Sequence, residues 1–190
     1  MPLGASITAG DYSLDEGKNG YREFVRDALV SAGYEVDMVG SIQSGSMDDN
    51  DHEGVSGDRI DQVASRAASS VPANQPNVIL INAGTNDAGQ DFEVDSAGQR
   101  MRDMIDSILG EVPDALVVLS TLLPSGNSDT QSRVDDINEQ FRAVQSGFGG
   151  DVVLADMAMN IGLEHIHDGT HPDVEGEQMM SNLWIAAIQS

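Results

Sequence analysis

Two short segments at opposite ends of the chain carry side chains that together could perform acyl transfer. Asp168-Gly169-Thr170-His171-Pro172 puts a carboxylate three residues before an imidazole, so Asp168 can hold one ring nitrogen while the other takes a proton. Leu3-Gly4-Ala5-Ser6-Ile7-Thr8 offers a hydroxyl on Ser6, after two small residues that let the backbone turn sharply. A nucleophile, a base and an acid that orients the base make up a catalyst for acyl transfer. Two more residues could donate to an oxyanion. One is Asn86, through its amide, in Gly84-Thr85-Asn86-Asp87. The other is Gly57, in His52-Glu53-Gly54-Val55-Ser56-Gly57-Asp58-Arg59-Ile60, just before a helix whose first N–H groups lack intrahelical partners. Each of these residues has a plainer reading: Ser6 as a turn or helix cap, Asn86 as an asparagine turn, Gly57 as a loop glycine, and His171 as the cap of a helix opened by Pro172.

Two metal readings compete. His165, His167, Asp168 and His171 are suitable zinc ligands, but a zinc site there leaves Ser6 and Asn86 without a role. Asp48-Asp49-Asn50-Asp51 is oxygen-rich enough for a structural calcium ion but lacks EF-hand spacing, and a solvated loop explains it more simply. With no cysteine, disulfides, thiolate metal sites and cysteine nucleophiles are excluded.

The 190 residues, 39% of them apolar, suffice for one domain with a full core, spanning residues 1–190. With 32 acidic against 9 basic residues the formal charge is -23, which repels nucleic acid and anionic membranes and suits a strongly solvated surface. No apolar run approaches the roughly 20 residues of a bilayer span. Met1 fits either an initiator or a residue exposed by removal of a signal peptide.

The elements that must position the four segments alternate between strand and helix, the pattern of a layered α/β domain. Strands are predicted over 1–3, 35–40, 77–83, 115–121 and 151–155, and helices over 21–32, 60–70, 96–109, 132–146 and 172–189. Val78-Ile79-Leu80-Ile81 and Leu116-Val117-Val118-Leu119 are apolar on both faces, as parallel strands covered on two sides require. Met101, Met104, Ile105 and Ile108 form one buried helical stripe, and Gly33 is a helix stop. Right-handed crossovers favour a five-stranded parallel sheet in the order 2-1-3-4-5. Its ligand crevice lies at the carboxyl ends of strands 1 and 3, which Ser6 and Asn86 follow. The last strand lies three places from the first, roughly 14 Å away at about 4.8 Å per strand. The segment from Asp156 to Asp168 spans that gap easily at about 3.3 Å per residue.

In this order the four segments resemble the blocks of the SGNH (GDSL-type) hydrolase superfamily. Ser6 in Gly-Ala-Ser-Ile-Thr corresponds to the nucleophile block, Gly57 to the glycine block, Asn86 in Gly-Thr-Asn-Asp to the asparagine block, and Asp168 with His171 to the last. More narrowly, Met1 to Thr8, Val36-Asp37-Met38-Val39-Gly40-Ser41, Asp49 to Gly54 and Asp168 to Pro172 are similar to family 3 carbohydrate esterases, acetyl xylan esterases that are mostly secreted. The resemblance implies a three-layer α/β/α (flavodoxin-like) fold, catalysis by Ser6, His171 and Asp168, and an oxyanion hole of Ser6, Gly57 and Asn86. It also implies no catalytic cofactor, an acetylated polysaccharide or small acetyl ester as substrate, and a secreted monomer, with a cytoplasmic location as the alternative. Ala5 stands in place of the aspartate of Gly-Asp-Ser, and Asp58 follows Gly57 where relatives often carry an aromatic residue. A lipase, thioesterase or arylesterase on the same scaffold, and a polysaccharide-binding module without turnover, are the rival expectations.

Overall fold

The computed structural model describes residues 1–190. Six strands, β1 (Pro2–Gly4), β2 (Ile42–Gln43), β3 (Asp51–Gly54), β4 (Val78–Asn82), β5 (Leu116–Ser120) and β6 (Val152–Ala155), form one sheet in the order β2-β3-β1-β4-β5-β6. All pairings are parallel except that of β2, which runs antiparallel to β3 at the edge. The helices are α1 (Ser6–Ala9), α2 (Tyr21–Ser31), α3 (Ile60–Asn74), α4 (Thr85–Gln90), α5 (Ala97–Glu111), α6 (Ser128–Ser146) and α7 (Val174–Ile188). None is long and apolar enough to cross a membrane.

The central strands are apolar on both faces because each face meets helices. Leu3, Ile79, Ile81, Val117 and Leu119 point to one side and pack with Ile60, Val63, Met101, Ile105 and Phe141 of α3, α5 and α6. The alternating Leu80 and Val118 point to the other and pack with Tyr21 and Val25 of α2 and Met180 and Trp184 of α7. This is the expected three-layer α/β/α sandwich. The Met101, Met104, Ile105 and Ile108 stripe lies wholly in the first core. Full burial of each such side chain is worth about 1.5–3 kcal/mol against leaving it in water.

The strand expected over 35–40 is not a strand. Within it Met38 N donates to Asp49 at 3.0 Å, and just beyond it Ser41 N donates to Glu53 at 2.5 Å, carboxylates in place of a strand partner. The position beside β1 belongs to β3, a segment of Asp-His-Glu-Gly with no apolar alternation. Its His52 and Glu53 are fully buried: His52 Nε2 donates to Ser44 Oγ at 2.6 Å, Glu53 Oε1 accepts from Ser70 Oγ at 2.5 Å, and Glu53 Oε2 lies 3.5 Å from the Arg66 guanidinium. Burial, and next the nearby Arg22 charge, lower the His52 pKa to about 4, so the ring is neutral and its Nδ1 accepts from Gly54 N. With β2 added, the sheet has six strands rather than five.

Two helix starts also differ. Pro172 does not open the last helix. It bridges to Ile166 in an antiparallel pair, and Asp173 caps α7 by accepting from Gly176 N at 2.7 Å. In the same way Asn127 caps α6, accepting from Asp129 N and Thr130 N, so that helix begins at Ser128 rather than at residue 132. A cap oxygen that satisfies orphan amides fixes each start: two amides at Asn127 and one at Asp173.

Candidate active site

Ser6 is the first residue of α1, directly beyond the carboxyl end of β1. The turn is tight because α1 lies against the end of β3: a Cβ on Gly54 would come 2.5 Å from Ala9 N. As the first helical residue, Ser6 has an N–H with no intrahelical acceptor. Its hydroxyl is 2.9 Å from His171 Nε2.

His171 comes from the connection that returns from β6 across β5 and β4, as the chain length had allowed. The loop is closed by backbone bonds from His167 N to His171 O (3.0 Å) and Asp173 N to His165 O (2.8 Å). Asp168 Oδ1 accepts from Thr170 N at 2.9 Å and His171 N at 2.7 Å, and its Oδ2 is 2.8 Å from His171 Nδ1. Partial burial works to raise the Asp168 pKa, but the His171 amide, its ring and the Thr170 amide outweigh it and bring the carboxyl down to about 2. An ionised Asp168 fixes the imidazole proton on Nδ1, which leaves Nε2 a lone pair facing the Ser6 hydroxyl. Ser6, His171 and Asp168 therefore form one hydrogen-bonded row.

Gly57 and Asn86 lie on two loops tied to each other. Asp58 N donates to Val55 O at 3.2 Å, closing a turn in which Gly57 has φ +86°, a conformation that favours glycine. Asn86, in the first turn of α4, donates from Nδ2 to Asp58 O at 2.9 Å, leaving its second amide hydrogen available. Asp87, read from sequence only as part of the tetrapeptide, is buried and structural. It accepts from Ile60 N at 3.1 Å and Arg100 at 2.6 Å, so it joins the starts of α3 and α4.

Sequence reasoning missed two residues at the site. Arg66 of α3 donates to Gly4 O at 2.9 Å and Glu53 O at 3.1 Å and pairs with Asp58, so one guanidinium ties together the ends of β1 and β3 and the Gly57 turn. Nothing in its local sequence separates it from any helical arginine. Tyr12 stacks on the His171 ring with centroids 4.1 Å apart at 20°, while remaining half exposed. An aromatic six residues after Ser6 was the available signal. His167 Nε2 donates to Tyr12 O at 3.1 Å.

The loop bearing Tyr12 is anchored by the buried Ser13, whose hydroxyl lies between Asp15 and Glu177, at 3.0 Å from the latter. A hydroxyl has one proton to donate, so two ionised carboxylates cannot both be served. Burial pushes Glu177 up to about 7, the Asp15 and Asp173 charges raising it further against the Ser13 hydrogen bond and the Lys18 charge. A protonated Glu177 donates to Ser13, which donates to Asp15. Because the folded pKa lies above the ordinary glutamate value of 4.5, the native state holds this proton more tightly than the unfolded chain. Stability is thus highest below about pH 4.5 for this group and declines as pH rises through about 7. Glu177→Gln is expected to be near neutral at pH 5 and stabilising by up to about 3 kcal/mol at pH 8, a rise of several degrees in Tm. Calorimetry at the two pH values checks this, and equal differences at both would disprove the linkage.

The ligands of the two metal readings point elsewhere. His171 belongs to the row, His167 faces Tyr12 O, and His165 Nδ1 lies 3.8 Å from Asp173 and 4.0 Å from Glu175. Asp49 faces Arg26 and Met38 N, and Asn50 Nδ2 donates to Gly45 O. No three His, Asp or Glu side chains converge as a metal site needs.

A parallel α/β/α sandwich with serine, imidazole and carboxylate in a row at the carboxyl ends of its strands defines a hydrolase of the esterase and acylhydrolase class. The sequence matches the GDSL-like lipase/acylhydrolase family over residues 3–179, and the chain belongs to that family. Its fold is similar to a family 3 carbohydrate esterase from Clostridium thermocellum, at 24% identity, TM-score 0.85, and coverage of 100% of this chain and 94% of that one. A family 3 carbohydrate esterase from Talaromyces cellulolyticus shares 25% identity over 100% of this chain and 95% of that one, with a TM-score of 0.86. A lipase/acylhydrolase from Enterococcus faecalis shares 22% identity over 99% and 93%, with a TM-score of 0.78. No curated protein matches the chain significantly.

Proposed function

We propose that this chain is a serine acetylesterase acting on acetylated polysaccharide, xylan being the favoured candidate. The observation that carries the reading is the Ser6–His171–Asp168 row, with contacts of 2.9 and 2.8 Å. His171 Nε2 takes the Ser6 proton as Oγ attacks the acetyl carbonyl. Asp168 holds the ring in the productive tautomer and stabilises the imidazolium. The carbonyl oxygen, now charged, is met by the Ser6 and Gly57 N–H groups and the free amide hydrogen of Asn86. The imidazolium then protonates the departing sugar oxygen, and a water activated by the same ring releases acetate. No step is assigned to a metal or cofactor.

The acetyl preference is supported by the family 3 carbohydrate esterase neighbours and by a mutant acetyl esterase solved with an acetate ion, which has a TM-score of 0.86 and 24% identity. Acetate release from acetylated xylan, compared with hydrolysis of p-nitrophenyl esters of increasing chain length, tests it. A rate that climbs with chain length, with no acetate from xylan, would replace this reading with a lipase-type one. Within the mechanism, Asn86→Ala is expected to lower kcat about a hundredfold or more, one oxyanion donor being worth about 3 kcal/mol of barrier. Near-normal kcat in the folded variant would remove Asn86 from the oxyanion hole.

A further inference from the structure

A groove of about 470 Å³ opens beside the row, walled by Thr85, Asn86 and Gly89 of α4, by the connection from Leu123 to Thr130, and by Asp168 to Thr170. An acetyl group fills only a small part of such a space, which falls within the ~300–1,000 Å³ of sites for whole small molecules. The excess room must serve another part of the ester. Its chemistry indicates which part. The wall is mixed: Leu123 and Val134 are 3% and 1% exposed, Pro124 is half-buried, and polar groups interrupt the apolar surface, so an alkyl chain would find no unbroken apolar wall there. The accessible polar groups are chiefly hydroxyls and amides. Asn127 uses its Oδ1 to cap α6, which leaves its Nδ2 hydrogens as donors. Asp168, committed to His171, is the sole charged side chain on the wall of a molecule with net charge -23. A wall of mixed polar and apolar surface, its one carboxylate engaged by His171, suits a neutral polyol rather than an anion or a cation.

The groove is also fixed relative to the row. Gly126 N donates to Gly169 O at 2.9 Å, and a Cβ on Gly126 would lie 2.9 Å from Gly169 Cα. The two loops therefore meet backbone to backbone, and the groove floor is continuous with the segment that holds Asp168.

We propose that this groove binds neutral sugar residues on the alcohol side of the ester and is the site by which the chain selects acetylated carbohydrate over other acyl esters. This rests on the esterase reading above.

Gly89 gives a direct test. It sits in α4 on the groove wall, a Cβ there would meet nothing within 4 Å, and its backbone is not in the left-handed region. Larger side chains can thus grow into the groove, and the helix favours any of them over glycine. Wild type, Gly89→Ala and Gly89→Trp are assayed on an acetylated xylo-oligosaccharide, p-nitrophenyl acetate and p-nitrophenyl hexanoate, with circular dichroism as the fold check. In Gly89→Trp, kcat/KM for the oligosaccharide relative to p-nitrophenyl acetate is expected to fall at least tenfold, mainly through KM. Thr130→Val, which removes one hydroxyl from the wall and leaves the row untouched, is expected to shift the same ratio in the same direction by a few-fold. Unchanged ratios in both variants, or a loss confined to the hexanoate, would overturn the groove assignment alone. Wild type that hydrolyses p-nitrophenyl acetate but releases no acetate from the oligosaccharide would instead overturn the carbohydrate reading, and this inference with it.

Discussion

Ser6→Ala is expected to lower turnover of acetyl esters by about 10⁴- to 10⁶-fold, the scale seen when a serine nucleophile is deleted from a triad. The structure makes this variant a clean one. The Ser6 hydroxyl makes one side-chain contact, to His171, and alanine suits the first turn of α1 at least as well as serine. Losing a single such hydrogen bond costs about 0.5–1.5 kcal/mol, so Tm should move by only a few degrees while activity disappears. The backbone N–H of residue 6 and the other oxyanion donors remain, so a small residual rate above that of water is expected. Initial rates of acetate release set beside a calorimetric Tm decide the matter. A folded variant that keeps more than about one per cent of turnover would mean that a water attacks directly and Ser6 is not the nucleophile.

Asp168→Asn is expected to lower kcat about 10⁴-fold, through the tautomer of His171 rather than through misplacement of the ring. Asparagine can keep an oxygen toward the Thr170 and His171 amides that Oδ1 accepts from now. Its NH2 group then faces Nδ1, where Oδ2 sits at present. An imidazole facing a donor at Nδ1 carries its proton on Nε2, and that nitrogen can no longer accept from Ser6. The two roles of the carboxylate thereby separate: the loop stays closed and the base is lost. The same residue leaves a mark on stability. With its folded pKa at about 2, below the ordinary aspartate value of 3.8, ionised Asp168 stabilises the native state above about pH 4, and the benefit fades as pH falls toward 2. The variant should lack that acid-side decline, although the partial exposure of Asp168 makes the difference small. Single-turnover rates by rapid quench, together with acid titration of the fold, measure both effects. A kcat within tenfold of wild type would show that His171 does not need its carboxylate.

Much of the site was legible in the sequence because its chemistry is concentrated in short segments. Ser6, Gly57, Asn86, Asp168 and His171 each sit in a tight turn or a helix start, and such places have local signatures. The strands β4 and β5 were legible for a different reason: parallel strands covered on both faces are continuously apolar. β3 was not, since its buried residues are His52 and Glu53, whose burial is made tolerable by Ser44 and Ser70 from other parts of the chain. The preceding stretch, 35–40, has the alternation of a strand, but its Met38 amide goes to the Asp49 carboxylate rather than to a neighbouring strand. Arg66 and Tyr12 escaped notice because their roles consist of contacts with distant segments. The start of α7 was misplaced because Pro172 and Asp173 are both good openers, and the bridge between Ile166 and Pro172, which decides between them, is a tertiary contact.

The meeting of Gly126 with Gly169 has a consequence for how such an enzyme can diverge. A side chain at Gly126 would push the β5–α6 connection away from the segment carrying Asp168, and one at Gly169 would strain a backbone held at φ +88°. The connection that shapes the groove would then move the carboxylate that orients the imidazole. Changes of taste made in this connection would therefore also be changes of rate, unless they leave that seam of bare backbone intact. Gly89, on the opposite wall and away from the seam, is where selectivity is free to drift without disturbing the chemistry.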